Sequence, residues 1–258
     1  MFDRVTGEVM HPEVGPLVEV ERLYISPSKL AERLCSAQRE PLVVLDAGLG
    51  AGSNAIAAWR MAREAGERTR QLELISIDRT VAALELALEP EHAAAFGFDE
   101  DAVAAARTLL SAHRHASTHT DWRLQLGELV SELQRVAADS VDVVFWDPYS
   151  PRADPTLWSL QTFSALRRVC RAGATVHTYS GATATRTALL LAGFAVGYGP
   201  SAGDKQRRST VAAEHHAHLT QPLDKSWLDG LRPSPNSWPI DAPSDALARL
   251  KQHPQFHK

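Results

Sequence analysis

Short apolar runs alternate along this chain with longer stretches whose apolar positions recur at helical spacing. Leu42 to Leu45 is the first such run and predicts a buried strand. Leu72 to Ile77 is the second and closes on Asp78. Trp122 to Leu126 is followed by Gly127-Glu128, and Val141 to Trp146 empties into Asp147. Ala174 to Tyr179 predicts a fifth strand. Ala195 to Tyr198 then runs out, and Ser209 to Ala213 can return antiparallel. Between the strands, helices are expected from Ala55 to about Arg63, over 128–137, from the Asp154-Pro155 cap to about Arg171, and over 182–192. Residues 80–122 are helical in pattern, broken at Glu89-Pro90 and again at Phe96 to Asp99. Strands alternating with helices predict an α/β fold with a mostly parallel sheet.

The flanks differ from this centre. Gly7 to His11 and Val14 to Pro16 suggest a small hairpin or extended arm, and Ser26-Pro27-Ser28 starts a helix from Lys29 to Cys35. Residues 214–258 hold six prolines, two tryptophans and five of the eleven histidines. They read as a tail draped over the domain, with short helices near 224–231 and 243–252, anchored by Trp227 and Trp238. The expected division is an N-terminal arm and helix (1–40), the α/β domain (41–213) and the proline-rich tail (214–258).

The first strand runs into Asp46-x-Gly48-x-Gly50-x-Gly52, and Ser53 or Asn54 can cap the helix that follows. Glycines let a backbone come close to a ligand, and the start of a helix offers unpaired N–H groups to an anion. A dinucleotide-binding turn spaces its glycines Gly-x-Gly-x-x-Gly. The spacing here instead resembles motif I of the class I S-adenosylmethionine (SAM) methyltransferases. It also serves as a βα turn with no ligand. The resemblance implies a Rossmann-like, doubly wound fold: a mostly parallel seven-stranded sheet whose last strand is antiparallel. It makes Asp46, Gly48, Gly50, Gly52 and Asn54 candidates for holding SAM. Loop N–H groups would meet its carboxylate, and Asp46 its ammonium. Asp78, at the end of the second strand, can accept both ribose hydroxyls, although a strand-end Asp is also a common helix cap. Gly127 and Glu128 would lie near the adenine. Asp147 sits beyond the end of the fourth strand, where ligands of open α/β sheets bind, and Pro148 and Pro151 stiffen its loop.

Bulk properties narrow the remaining choices. The chain has 258 residues, 44% hydrophobic and 22% charged, with a formal charge of −4, so no global positive field advertises nucleic acid. A local basic loop from Gly203 to Arg208 is the exception. Two cysteines, Cys35 and Cys170, make no disulfide framework. The first residues lack an apolar signal core, and no stretch approaches the roughly 18 apolar residues of a membrane span. The expectation is a cytoplasmic protein with no membrane association. No Cys or close Glu completes a set with His113, His115 and His119, and His215, His216 and His218 share one short segment, so no metal is expected.

A second stretch is more specific. Asp147-Pro-Tyr-Ser-Pro-Arg-Ala-Asp-Pro-Thr-Leu-Trp158 resembles the Asp-Gly-Phe-Ala-Pro-x-x-x-Pro-x-x-Trp signature of the MnmC-like tRNA methyltransferases. Gly48 to Asn54, Trp122 to Glu128, Thr178 to Phe194 and the basic hairpin Lys205 to Arg208 agree in order with further parts of that family. Pro148 stands in place of a glycine and Tyr149 in place of a phenylalanine. Asp46 and Glu128 are carboxylate swaps of the family's Glu and Asp. With no FAD-dependent oxidase domain expected after residue 213, the chain is similar to the stand-alone methyltransferase branch. The resemblance implies transfer of the SAM methyl to the primary amine of a 5-aminomethyl-(2-thio)uridine at the tRNA wobble position, with a separate oxidase as the possible source of that amine. Asp147 would then be catalytic and also near SAM. Tyr149 and Tyr179 would meet the base, and Arg152, Lys205, Arg207 and Arg208 the tRNA phosphates. Three rivals remain: a small-molecule methyltransferase, to which the acidic charge is suited; an aminopropyltransferase of the spermidine synthase type; and a non-catalytic member of the fold, for which Pro148 is the hint.

Overall fold

The computed structural model describes residues 16–66, 69–201, 208–232 and 234–257. The hairpin or arm read over 7–15 and the basic residues Lys205 and Arg207 lie outside them.

One sheet of eight strands forms the centre: β1 (Leu42–Ala47), β2 (Leu72–Asp78), β3 (Arg114–Ala116), β4 (Thr120–Leu126), β5 (Val141–Trp146), β6 (Cys170–Thr178), β7 (Ala195–Ser201) and β8 (Arg208–Ala213). Their order is β3-β4-β2-β1-β5-β6-β8-β7. β1, β2, β4, β5 and β6 pair in parallel, while β8 runs antiparallel to both β6 and β7. The chain builds outward from β1 through β2 to β4, then returns to β5 on the other side of β1. The connections leave β1 and β5 in opposite directions, which opens a crevice between their carboxyl ends.

The expected seven strands gain an eighth, β3, where the sequence reads as a solvated helix end. His113 takes a left-handed conformation (φ 53°), which stops the helix before it and turns the chain back. Arg114 then pairs with Asp121 of β4 through two hydrogen bonds of 2.7 and 3.2 Å. The backbone ladder to β4 and this side-chain pair hold a three-residue edge strand that no apolar pattern marks.

All six residues of β1 are buried, as a strand covered on both faces requires. Leu42 and Val44 join the first core, with α1 (Ser53–Ala65) and α2 (Glu100–Ala112). Val43, Leu45 and Ala47 join the second, with α3 (Leu129–Arg135), α4 (Leu160–Val169) and α5 (Thr183–Leu191). The tail covers this second core. Leu223, Leu228 and Leu250 are buried in it, and Trp227 and Trp238 pack against it. The Gln255 side chain acts like an added strand residue, bonding Val196 N, Val196 O and Leu223 O.

The N-terminal segment is helical over more residues than its sequence predicts. An α-helical turn (Pro16–Val20) passes into a π-helical turn (Glu21–Ile25) and a short helix to Ser28. Lys29, at φ 54°, then breaks the run before Leu30–Leu34. Leu23, Tyr24, Ile25, Leu30 and Leu34 are at most 2% exposed, and each such burial stabilises the fold by about 1.5–3 kcal/mol. A π turn shifts the buried face by one residue, so a fixed helical period does not find it. The helix expected from 154 to 171 is also divided. A 3-10 turn (Pro155–Trp158) ends at Ser159, whose side chain caps α4 by accepting from Thr162 N.

Among the described residues, no helix is long and apolar enough to cross a membrane.

Candidate active site

Two loops meet at the crevice, one after β1 and one after β5. Gly48 sits at φ +91°, and a Cβ there would lie 2.6 Å from the Asp147 carbonyl oxygen and 2.7 Å from Pro148 Cα. The missing side chain is therefore what lets the second loop lie on the first. Asp147 N donates to Ala47 O at 2.9 Å, and Gly48 N to Ile77 O at 2.9 Å. Gly52 is at φ +83° where α1 begins, and Gly50 N donates to Asp78 Oδ2 at 3.0 Å.

The β5 loop is clamped by aromatic side chains. Trp158 Nε1 donates to Tyr149 O at 2.8 Å and Tyr179 Oη to Pro148 O at 3.1 Å. The two rings meet edge to face at 5.7 Å. This accounts for the Trp placed after the Asp-Pro-Tyr stretch: its indole holds the loop's own backbone. Arg79 lies 5.4 Å from the Tyr149 ring centroid and 3.8 Å from Asp154, so Tyr149 carries a cation on its face.

These loops enclose a cavity of about 540 Å³, a size that suits a cofactor-sized ligand. Gly48, Gly50, Asn54, Asp78, Gly127 and Glu128 line it, and so do Asp147, Tyr149 and Tyr179. Asp147 Oδ2 accepts from Asn54 Nδ2 at 2.7 Å. Asp78 lines the cavity and accepts from Arg79 N at 2.7 Å within its own loop, while the helix that follows starts at Ala82 with no side-chain cap.

Among the described residues, four sequence candidates do not line the cavity: Asp46, Arg152, Arg208 and Gly52, which faces Leu84 and Ile56. Asp46 is 1% exposed and accepts from Ser76 Oγ at 2.9 Å across the β1–β2 pair. Burial, followed by the nearby charges of Asp147 and Asp78, pushes its carboxyl well above the usual range against the Ser76 hydrogen bond. Arg152 is exposed and outside the cavity. Arg208 donates to Gly199 O at 3.1 Å and to Gln221, and lies 4.9 Å from the Tyr198 ring centroid in a different cavity.

The sequence reading missed Glu19 and Tyr24, which the N-terminal segment brings to the cavity wall, and Ser53 and Arg79. Tyr24 is 2% exposed, and its phenol is pushed well above its ordinary value, first by burial and then by the nearby Asp147 charge. Nothing in Leu23-Tyr24-Ile25 distinguishes it from core.

A family model described as S-adenosyl-L-methionine-dependent methyltransferase matches residues 99–216. The tRNA 5-methylaminomethyl-2-thiouridine biosynthesis bifunctional protein MnmC of Methylibium petroleiphilum is 28% identical over 225 residues, covering 86% of this chain and 34% of that one. MnmC of Cupriavidus metallidurans is 31% identical over 217 residues, covering 80% and 31%. The chain thus spans about a third of the length of the curated relatives it matches. The crystal structure of MnmC2 from Aquifex aeolicus superposes with a TM-score of 0.75 at 22% identity, covering 97% of this chain and 81% of that one. The chain is an S-adenosyl-L-methionine-dependent methyltransferase, MnmC-like in sequence and in fold.

The methyltransferase's cavity fits SAM by its unmet polar valences. Ser53 Oγ and Asn54 Oδ1 line it and are buried without hydrogen-bond partners, as is Asp46 Oδ1 behind it. A buried polar atom left unpaired is costly, and the carboxylate and ammonium of a methionyl group supply the complementary acceptors and donors. The carboxylates of Asp78 and Glu128 also stand in its wall. Among the described residues no cluster of His, Cys, Asp and Glu is arranged to hold a metal ion.

Proposed function

We propose that this methyltransferase acts on a primary amine, the 5-aminomethyl group of a wobble uridine in tRNA. The observation that carries this is the setting of Asp147. Its carboxylate stands at the end of β5, gripped by Asn54, in a cavity lined by four acids (Glu19, Asp78, Glu128, Asp147) against one cation, Arg79. Such a lining suits an acceptor that arrives as an ammonium. The tRNA part of the reading comes from the names of the MnmC relatives. The flanks of the basic hairpin support it, because Ser201 and Arg208 emerge beyond Thr178 at the carboxyl edge of β6, the edge on which the cavity opens.

Bound SAM would supply a methyl group on a sulfonium, open to in-line displacement. The chain's own residues would do the rest. The backbone N–H groups of the first turn of α1 would meet the methionyl carboxylate, those of Gly48, Gly50 and Gly52 being spent within the fold. Asp78 accepts from the ribose, and Gly127 and Glu128 edge the adenine. An ammonium has no lone pair to attack with, so Asp147 takes one proton, directly or through a water, and holds the neutral amine in line. Tyr149 and Tyr179 offer ring faces to a base taken out of its stack. Arg152, which is exposed, and the basic residues Lys205 and Arg207 of the hairpin sequence would meet phosphates, Arg208 being held by Gly199 O and Gln221. A small-molecule amine is the second reading, which the acidic cavity and the net charge of −4 suit equally well.

Labelled methyl from SAM, offered to bulk tRNA from a strain lacking this modification, tests the proposal. Label entering the wobble nucleotide supports it, and label confined to small amines overturns it in favour of the second reading.

A further inference from the structure

We propose that the N-terminal helical segment supplies the acceptor half of the site: Tyr24 is a positioning residue that fixes Asp147, and Glu19 attracts the acceptor as its ammonium. This rests on the amine reading above.

The segment is packed as core, yet two of its side chains line the catalytic cavity. The Tyr24 ring stands edge-on to Phe145 of β5 at 5.6 Å, two residues before Asp147 in the chain. A phenylalanine would make that contact equally well. The hydroxyl is what packing leaves unexplained. It is buried at the cavity wall without a hydrogen-bond partner, and the Asp147 carboxylate is near enough to push the phenol's pKa up. A phenol held protonated by burial can only donate to that carboxylate. With the Asn54 amide on Oδ2, Asp147 then has donors from two elements, α1 and the N-terminal segment. Two such anchors fix the carboxylate plane and leave lone pairs for the incoming amine. Glu19 lies one α-helical turn and a π turn's offset before Tyr24, close enough to raise the phenol's pKa further. It adds a second negative charge to the same wall. The charged and titratable groups facing this point are Glu19 and Tyr24 from the N-terminal segment, Asp46 from β1 and Tyr179 beyond β6.

The test uses the whole chain, SAM and aminomethyl-bearing tRNA. Tyr24→Phe keeps the ring. It should leave SAM affinity within about twofold and lower kcat by about 10- to 100-fold, as loss of a positioning hydrogen bond does. The acid limb of the kcat–pH profile should move upward, because a carboxylate that loses a donor holds its proton more tightly. In the Asp147→Asn background the same change should cost little more, since a residue acting through Asp147 has nothing left to position. Glu19→Gln should raise KM for the tRNA several-fold with kcat kept. Wild-type kcat and pH profile in Tyr24→Phe, or full additivity with Asp147→Asn, would overturn the inference alone. A wild-type protein that transfers no methyl to this tRNA would overturn the amine-on-tRNA reading and the inference with it.

Discussion

Two cavities flank the N-terminal helical segment, and they are opposite in character. The one at the strand ends is the smaller, about 540 Å³, and is acidic. The one on the sheet face is about 1190 Å³ and is lined by Arg22, Lys29, Arg33 and Arg208 against Glu21. Size and charge would both send a search for a nucleic-acid enzyme to the second. Hydrogen bonding sends it to the first. In the larger cavity, Arg33 is already bonded to Asp142 O at 3.1 Å and Thr175 Oγ1 at 3.3 Å, and Arg208 to Gly199 O at 3.1 Å. Those cations hold strands and tail together. In the smaller one, Ser53 Oγ and Asn54 Oδ1 are buried without partners, against His177 Nδ1 among the described residues lining the larger. A site shows itself by valences the protein has left unmet.

The comparison can be broken by substitution on either side. Asp147→Ala should have the largest effect, a loss of about 10³-fold in kcat with SAM affinity near wild type by calorimetry. Unaltered turnover would remove Asp147 from the mechanism. Gly48→Ala comes next. Its Cβ would lie 2.6 Å from Asp147 O at a φ of +91°, and strain of this kind costs about 1–3 kcal/mol before the clash is counted. A lowered Tm with weakened SAM binding is expected.

The larger cavity should respond to pH instead. His177 lines it and is fully buried, and burial and the Arg33 charge push its pKa down to about 3 from 6.5. Below about pH 6.5 the unfolded chain binds a proton that the folded chain refuses, so stability falls as pH drops from there toward about 3. Between pH 7 and 5 this one group should remove about 2 kcal/mol. Denaturant unfolding at both pH values measures the loss, and His177→Gln should flatten it. Asn54→Ala is expected to lower kcat about tenfold, through the loosened Asp147 carboxylate, with SAM affinity changed less. Arg22→Ala, an exposed change on the basic side, should leave kcat and SAM affinity within about twofold, and a larger kcat loss would join the two cavities functionally.

The sequence reveals the parts of this site that close a strand. Asp78 and Asp147 each end a predominantly apolar run, as befits a parallel strand covered on both faces. What it hides depends on orientation. Asp46 also sits at a strand end, but pleating turns it toward Ser76 of the neighbouring strand, and no spacing rule says which way a terminal residue faces. Tyr24 is hidden because a buried aromatic on a helical segment looks like packing, and the π turn that aims it leaves no compositional mark. Arg208 reads as a phosphate ligand in an exposed basic loop. Its partner Gln221 belongs to the tail, a contact that only the folded chain creates. Trp158 was legible as a family mark, while its task, donating to Tyr149 O, was not.

Asn54 belongs to the first turn of the helix that the glycine loop starts, and its amide grips Asp147. The cradle for the donor and the group that greets the acceptor are thus fastened by one side chain. Whatever stills the cradle also stills the carboxylate, so an occupied donor berth is the state in which the second guest finds its place already set.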